Sequence, residues 1–392
     1  MSTVIVAWAL LAALVTNGLV MVAVTAARSW SGWRPRRRGY RGPRVAVVRP
    51  VRGTDPDAAA KHRALLGQQY ERFEVIFVVE GADDPGVPAV LEACRASGAR
   101  GRLAVLGGPR PGPMSGKARN IIAGYRATDA EFVAFCDADL APAPGDLDAC
   151  MEKLRDSKIG AAFAYCLFEG IGATGRLAML NHTVDGYAFL IGGAQLGRPR
   201  FMQGGLMVVR RAAVEAAGGI ELVADAIGDD LRLGRRIQEA GYRLALADTL
   251  IKHRSGHEPL GTWAARYLRF LHCHRAEVPV GFWAQLLLNP IPMALAAFAA
   301  SPSAATAALF AFATLGRIGA TALADRWLLR RHGVSLGWWC WARVVGDLMH
   351  LGFCLASVLY PRVVWRGRRY RLDWRGRIVG ADDLRPAPTG AG

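Results

Sequence analysis

Two aspartates at the end of an apolar run are the pair of residues best suited to chemistry in this chain. Phe132–Leu140 reads FVAFCDADL, in which the uncharged residues end directly at Asp137 and Asp139. A short buried strand would deliver both side chains to the carboxyl edge of a parallel sheet, where open α/β folds bind ligands. Alternate strand residues share a face, so the pair can hold one Mg²⁺ or Mn²⁺ that bridges to a substrate diphosphate. By itself, an Asp-x-Asp after a strand is more often a loop opening or a helix cap.

Further polar or small residues stand near the predicted ends of other elements. They are Asp83 and Asp84, Lys117, Gly204 and Gly205, Asp229 and Asp230, and Arg266, Arg269 and Phe270. A glycine pair lets the backbone approach a ligand closely, and guanidinium forks suit phosphate oxygens. Each group also has a purely structural interpretation. Acids are favoured at helix N-termini, Gly-Gly is common in tight turns, and arginines snorkel from interfacial helices.

The elements that must position these residues alternate between strand and helix. Predicted strands cover Val45–Val48, Glu74–Val79, Leu103–Leu106, Phe132–Cys136 and Ala161–Leu167. Predicted helices cover Asp55–Leu66, Val87–Ala96, Lys117–Arg126, Asp146–Ser157, Leu177–Leu190, Ala212–Ala217 and Ile227–Gly241. This alternation predicts an α/β fold with a mostly parallel sheet flanked by helices.

Charge and hydropathy indicate a membrane protein rather than a nucleic-acid binder. The chain is 52% hydrophobic and yet carries a formal net charge of +17. Thr3–Ala27 contains no charge and is long enough to span a bilayer. Arg28–Arg44 contains seven arginines and no acid, which places this side in the cytoplasm. The seven cysteines form no C-x-x-C pair, as expected in a reducing compartment.

The C-terminal half contains more apolar segments, whose number of crossings the sequence leaves open. Val278–Gly316 is uncharged and is interrupted by Pro290 and Pro292, which fits a membrane hairpin. Val334–Tyr360 is apolar but contains Arg343, Asp347 and His350. The arginine-rich tail that follows favours the cytoplasm, which conflicts with three full crossings. Val334–Tyr360 is therefore expected to insert only partly.

Six successive regions are predicted along the chain. They are a transmembrane anchor over 1–28, a basic linker over 29–44, a cytoplasmic catalytic domain over 45–255, an interfacial segment over 256–277, membrane helices over 278–360 and a basic tail over 361–392.

The order and spacing of the acidic motifs resemble those of membrane-bound inverting glycosyltransferases of the family 2 type. Their pattern is D, D-x-D, [ED]-D and [QR]-x-x-R-W, and the match is closest to the ceramide glucosyltransferase branch, family 21. Its carriers are Arg49–Pro56, Asp83–Pro85, Gly116–Asn120, Cys136–Asp137, Gly228–Asp230 and Trp365–Leu372. The resemblance extends from about Val45 to Arg371 and implies a GT-A fold.

The resemblance also implies a role for each acidic or basic motif. Asp84 would contact the nucleoside of the donor, with Asp83 as the alternate, and Lys117 would lie near the uridine or the diphosphate. Asp137 and Asp139 would hold the divalent cation, although the ceramide branch often lacks the second aspartate. Asp230 would be the general base for the acceptor hydroxyl, and Asp229 would orient it.

The remaining expected site residues are Arg266, Arg269 and Phe270, which the resemblance implies, and Gly204 and Gly205, which the Gly-Gly pattern itself indicates. The arginines would clamp the departing diphosphate or close the site. Phe270 replaces the family tryptophan, so the aromatic platform is kept but the indole N–H is lost. The glycine pair would approach the substrate. A zinc site formed from His253, His257, His272 and His274 is a weaker alternative, because the carboxylates already account for a metal.

The implied reaction is inverting transfer of a hexose, glucose first, from a UDP-sugar to the hydroxyl of a membrane lipid. The expected acceptor is ceramide or a ceramide-like lipid, and the expected location is a bacterial inner membrane with the catalytic domain in the cytoplasm. Diacylglycerol or a hopanoid polyol as acceptor, and a processive polysaccharide synthase, remain open. The non-enzymatic alternative is a membrane scaffold that binds anionic lipid through its arginine tracts.

Overall fold

The chain divides into two compact units. The α/β unit comprises Gly32–Leu167, Pro199–His253 and Pro361–Gly392, and the helical unit comprises Met1–Ser31, Phe168–Arg198 and Arg254–Tyr360. The computed structural model describes residues 2–30, 42–98, 100–107, 112–180, 185–197, 199–255 and 259–383. The predicted catalytic domain was one continuous stretch, whereas the α/β unit combines three separate stretches that include the C-terminal tail.

The bounds of the regular elements are as follows. The strands are β1 (Val45–Pro50), β2 (Phe73–Val79), β3 (Gly101–Val105), β4 (Phe132–Cys136), β5 (Ile159–Gly170), β6 (Leu206–Arg210), β7 (Arg243–Ser255), β8 (Arg362–Trp365), β9 (Arg368–Leu372) and β10 (Ile378–Asp383). The helices are α1 (Ser2–Ala27), α2 (Ala58–Leu66), α3 (Val87–Ser97), α4 (Gly116–Arg126), α5 (Asp146–Lys153), α6 (Gly172–Ala178), α7 (Asp185–Leu196), α8 (Arg211–Ala216), α9 (Asp229–Glu239), α10 (Leu260–Glu277), α11 (Pro279–Leu287), α12 (Pro290–Ala300), α13 (Ala304–Ala324) and α14 (Arg343–Leu359). Part of the predicted helix Leu177–Leu190, residues 181–184, lies outside the described residues.

Seven of the described strands form one sheet in the order β3-β2-β1-β4-β6-β5-β7. β1 pairs in parallel with β2 and β4, and β2 pairs in parallel with β3. These pairings confirm the mostly parallel α/β prediction and bring the carboxyl ends of β1, β2 and β4 to one edge. β6 runs antiparallel to β4, with Leu206 opposite Cys136. Gly204 and Gly205, which precede β6, therefore lie at the edge where Asp137 follows β4.

Close packing beneath this edge fixes the helix that carries Lys117. β1 and β4 are buried along their length, which explains why their sequences are continuous apolar runs. A β-carbon on Gly124 of α4 would lie 2.3 Å from Val48 Cγ1, so α4 packs tightly against β1. The Ser115 hydroxyl accepts the Ala118 N–H at 3.0 Å and caps the start of α4. Lys117 is thus held at the sheet edge by a capped, closely packed helix.

The tail predicted as a basic region forms a second, antiparallel sheet. Within the described residues its strand order is β10-β9-β8. Ile378 N donates to Asp225 O at 2.8 Å, and Ala226 forms a bridge with Arg377. The tail is therefore an integral part of the α/β unit.

The helical unit contains the long apolar helices. Among the described residues, four helical stretches are long and apolar enough to cross a membrane: Thr3–Ala27, Pro279–Ala300, Ala304–His332 and Gly337–Leu359. Small side chains pack where α1, α12 and α13 meet, at Ala13, Ala294 and Ala313. Such small residues allow membrane helices to approach closely.

Three charged residues within these apolar segments, Arg317, Arg343 and Asp347, are paired inside the unit. Asp347 accepts from Arg317 Nε at 2.9 Å and lies 2.6 Å from Arg343 NH2. All three side chains are at most 4% exposed, and Asn289 Nδ2 donates to the Asp347 carbonyl at 3.0 Å. Intramembrane charges typically face the bundle interior and pair in this way. The charges in Val334–Tyr360 are therefore no obstacle to its insertion.

Candidate active site

The Asp137–Asp139 turn is supported by a buried arginine and by the glycine pair. Arg49, at the end of β1, is 0% exposed, and its NH2 donates to the carbonyls of Ala138 at 2.7 Å and Leu140 at 2.8 Å. On the other side, Asp137 N donates to Gly205 O at 2.9 Å. The turn is thereby fixed from two directions. The Asp137 and Asp139 side chains are 37% and 38% exposed, so they remain accessible to a ligand.

Lys117 joins two of the acidic motifs. Its Nζ lies 2.8 Å from Asp137 Oδ1 and 3.2 Å from Asp229 Oδ2. Burial opposes the charge on Lys117, but Asp137 and Asp229 outweigh it and raise the lysine pKa. Burial raises the pKa of both aspartates, and the lysine charge opposes that rise. Residues that are more than a hundred positions apart therefore share one charged cluster.

A hydrogen bond to Gly204 places Asp230 at the same sheet edge. Its Oδ2 accepts the Gly204 N–H at 2.5 Å, and its Oδ1 accepts the Leu231 N–H at 2.9 Å. A β-carbon on Gly204 would lie 2.9 Å from Asp230 Oδ2, and Gly205 has φ +127°. Side chains are thus disfavoured at both glycines. We refer to Asp137, Asp139, Asp229 and Asp230 as the carboxylate cluster.

His253, to which the sequence interpretation gave little weight, lies beside Asp139. It lies in β7, and its Nε2 is 3.3 Å from Asp139 Oδ2. Burial raises the pKa of Asp139, but the hydrogen bond and charge of His253, together with the charge of Arg366, outweigh it and lower that pKa. The position of His253 near the end of a strand was a usable signal, but it was read only as a zinc-type spacing.

The donor atoms at this edge fit a divalent cation shared with a substrate. Asp137 and Asp139 offer hard oxygen ligands and His253 offers an imidazole nitrogen. Within the described residues, no three such side chains are arranged to hold a metal by themselves. Mg²⁺ commonly takes only one or two carboxylates and completes its coordination with phosphate oxygens and water. The site therefore suits a cation that binds together with a diphosphate.

Asp84 joins the loops that follow β1 and β2. Its Oδ1 accepts the N–H groups of Gly53 and Gly86, each at 2.8 Å. Asp83, the alternate, is exposed. The nucleoside contact predicted for Asp84 remains a prediction, and the observed hydrogen bonds shape the loops that such a contact would need.

Arg266, Arg269 and Phe270 lie on α10 of the helical unit. Trp263 and Tyr267 are among the buried residues of that helix, whereas these three residues are half-buried. The guanidinium carbon of Arg269 lies 5.0 Å from the centroid of the Phe270 ring. The roles of these three residues in catalysis remain predictions.

The class of protein to which this site belongs follows from a match to a family model. The model of glycosyl transferase family 21 matches residues 10–378. The chain belongs to this family. Its GT-A fold has a counterpart in a solved structure, the mannosyltransferase PcManGT from Pyrobaculum calidifontis in complex with GDP-Man and Mn²⁺. The two share 20% identity with a TM-score of 0.59, and the match covers 88% of this chain and 98% of that one.

Curated proteins similar to this family 21 chain are ceramide glucosyltransferases. Ceramide glucosyltransferase 1 of Caenorhabditis elegans is 21% identical over 378 residues, which cover 88% of this chain and 75% of that protein. A ceramide glucosyltransferase of Komagataella phaffii (strain GS115 / ATCC 20864) is 27% identical over 117 residues, or 29% of this chain and 23% of that protein. This family 21 protein is thus a glycosyltransferase related to enzymes that glycosylate a lipid.

Proposed function

We propose that this protein transfers a hexose, glucose first, from a UDP-sugar to the hydroxyl of a ceramide-like membrane lipid, with inversion at the anomeric carbon. The observation that carries the proposal is the convergence of Lys117, the carboxylate cluster and the glycine pair at one sheet edge. Membership of family 21 and the similarity to ceramide glucosyltransferases support the lipid acceptor.

Each group has a distinct task in this reaction. Asp137 and Asp139, with His253 beside them, would hold a divalent cation, which when bound neutralises charge on the diphosphate. Lys117 adds a fixed positive charge. Asp230 accepts the proton of the acceptor hydroxyl while that oxygen bonds to the anomeric carbon and the bond to the diphosphate oxygen breaks. Asp84 would bind the nucleoside, and Arg266 and Arg269 would stabilise the departing UDP, with Phe270 near the acceptor.

The proposed activity can be tested directly with the full-length protein. Purified protein in lipid–detergent micelles would be incubated with Mn²⁺, a radiolabelled sugar donor and a ceramide, a diacylglycerol or a hopanoid polyol. UDP-glucose is expected to label the ceramide, and GDP-mannose serves as the donor control. Label in diacylglycerol or in the hopanoid would identify that lipid as the acceptor instead, and a long water-soluble polymer would indicate a processive synthase. No labelled product from any donor would contradict the proposal.

We also infer the membrane orientation, beginning with an argument from the fold. The chain leaves the α/β unit after His253 and returns to it at Pro361. A compact unit lies on one side of a bilayer, so the intervening segment must cross an even number of times. Three candidate spans lie within it, and one of them therefore does not cross completely. The basic residues after α1 favour the cytoplasm for the α/β unit.

Contacts within the helical unit indicate which span is incomplete. Arg331 donates to the carbonyls of Ala27 and Arg28 at 2.9 and 3.1 Å, so the end of the Ala304–His332 span lies beside the end of α1. Both helices then run towards the cytoplasm. Gly337–Leu359 consequently begins and ends on the cytoplasmic side and is re-entrant.

The same argument makes Pro279–Ala300 a full crossing despite its break between α11 and α12. Side chains of α1 satisfy the carbonyls at the break: Trp8 Nε1 donates to Leu287 and Thr16 Oγ1 to Leu288, each at 2.7 Å. A broken helix is tolerated at membrane depth when neighbouring groups bond its freed carbonyls. The break is therefore compatible with a complete span.

Cysteine accessibility distinguishes the two possible arrangements. Ser301→Cys, in the loop after α12, is expected to react in intact cells with a membrane-impermeant maleimide. Trp374→Cys in the tail, at a side chain 75% exposed, should react only after the membrane is permeabilised, and the unsubstituted protein reports labelling of its native cysteines. Labelling of Ser301→Cys only after permeabilisation would instead make Pro279–Ala300 the re-entrant segment.

A further inference from the structure

A hairpin turn in the C-terminal sheet carries an arginine in an uncommon conformation. β8 and β9 are joined by Arg366 and Gly367, and Trp365 pairs with Arg368 across the turn. Arg366 has φ +48° and Gly367 has φ +74°. Two-residue hairpin loops of type I′ require positive φ at both positions and normally use Asn, Asp or Gly at the first. An arginine here suggests that its side chain is needed at this place.

Three contacts fix the C-terminal sheet to the elements that bear the site residues. Arg368 NH1 lies 3.4 Å from Glu80, which directly follows β2. The Tyr370 side chain, 2% exposed, hydrogen-bonds the backbone of Gly116 at the start of α4, next to Lys117. Ile378 bonds Asp225, four residues before Asp229. These contacts fix the position of the hairpin relative to the carboxylate cluster.

Asp55 holds the Arg366 guanidinium in a two-point contact. NH1 lies 3.3 Å from Asp55 Oδ1 and NH2 lies 3.2 Å from Oδ2. The arginine side chain is still 41% exposed, whereas Asp55 is 19% exposed. Burial lowers the Arg366 pKa, but Asp55 and the charges of Asp139 and Asp137 outweigh it and raise that pKa. The guanidinium is thus oriented by Asp55 and lies within the electrostatic reach of the D-x-D pair.

The charge of the site explains what an oriented guanidinium would do there. The carboxylate cluster contains four acids, against which stand Lys117 and the buried Arg49, so a diphosphate bound here with a divalent cation gains from a further positive charge. An arginine fork binds phosphate oxygens at two points, which a lysine cannot do. We propose that Arg366 binds the diphosphate of the donor and that Asp55 positions it, so that the C-terminal hairpin completes the donor site. This inference rests on the proposed nucleotide-sugar activity.

Binding of nucleotides without any acceptor tests this role. The affinities of full-length protein for UDP, GDP, UMP and GMP would be measured by calorimetry with Mn²⁺ present. Arg366→Gln is expected to weaken binding of the preferred diphosphate by roughly 10–100-fold, as for the loss of a hydrogen-bonded charged partner, and to change monophosphate binding by less than about 3-fold. Arg366→Lys should recover part of the loss, since it restores the charge but not the fork.

Two matched variants separate a phosphate contact from a structural one. Arg369→Gln removes the same charge from an exposed position on β9 and should leave all affinities unchanged. Asp55→Asn breaks the ion pair but keeps the arginine, and should weaken diphosphate binding less than Arg366→Gln does.

The outcomes distinguish this inference from the proposed function. If Asp55→Asn and Arg366→Gln lose the same affinity, and lose it for both mono- and diphosphates, then Arg366 only stabilises the hairpin and does not bind the diphosphate. Wild-type affinity in Arg366→Gln would also overturn the inference. Failure of the unsubstituted protein to bind either diphosphate would instead contradict the proposed function.

Discussion

Asp230→Asn is expected to lower the turnover number for glycosyl transfer by about 10²–10⁴-fold, the usual contribution of a general base. An asparagine oxygen can still accept the Gly204 N–H that Asp230 Oδ2 accepts at 2.5 Å, and only the acceptor for the Leu231 N–H at 2.9 Å is lost. An amide cannot take the acceptor proton. The initial rate of lipid labelling would be measured with saturating donor and acceptor, and the affinity for the nucleoside diphosphate should change by less than about 3-fold.

The matched control for this substitution lies on the same helix. Glu239→Gln removes one acid from the last residue of α9, where Glu239 is 46% exposed and pairs with Arg235 and Arg236. Its turnover number should equal that of the unsubstituted protein. A turnover number for Asp230→Asn within about 5-fold of wild type would show that the proton leaves by another route.

Asp137→Asn is expected to lower the transfer rate by about 10²-fold or more, because it removes a hard ligand from the cation that stabilises the leaving group. The substitution keeps the size of the side chain, and Lys117 retains its contact with Asp229 at 3.2 Å. In the unsubstituted protein, EDTA should abolish transfer and Mn²⁺ or Mg²⁺ should restore it. Added Mn²⁺ should rescue the variant only at much higher concentration.

Cation binding can be followed without activity. Electron paramagnetic resonance of free Mn²⁺, titrated with protein and UDP, should show tight uptake by the unsubstituted protein and weak uptake by Asp137→Asn. Asp248→Asn is the control, because Asp248 is also paired with a lysine, Lys153 at 2.9 Å, and lies on β7 outside the carboxylate cluster. Unchanged Mn²⁺ uptake by Asp137→Asn would show that Asp137 does not bind the cation.

Local sequence signals predicted the parts of the site that depend on neighbouring residues. The apolar run that ends at Asp137 and Asp139 defined a buried strand, and β4 has the predicted bounds, Phe132–Cys136. The acids of Asp229 and Asp230 marked the start of α9. These signals are reliable because strand burial and helix-terminal charge act within a few residues.

Other features depend on pairing between distant residues, and no local pattern predicted them. The antiparallel pairing of β6 with β4 was not predicted, because a run of apolar residues does not indicate whether a buried strand pairs in parallel or antiparallel. The tail was interpreted as a basic region that contains the family motif Trp365–Leu372, and its folding into β8, β9 and β10 was not predicted. His253 was given little weight because the carboxylates already accounted for a metal, and no local pattern linked it to Asp139, 114 residues away.

The class of fold, the apolar spans, the family motifs and the chemical types available for catalysis could all be predicted from the amino-acid sequence, since they follow from composition, periodicity and spacing. The folded arrangement was needed to show that Lys117 bridges Asp137 and Asp229, that Asp230 bonds to Gly204 at the same edge, and that the tail returns to the α/β unit. Ion pairs and hydrogen bonds act over a few ångströms in space. Chain folding alone brings such distant groups within that range.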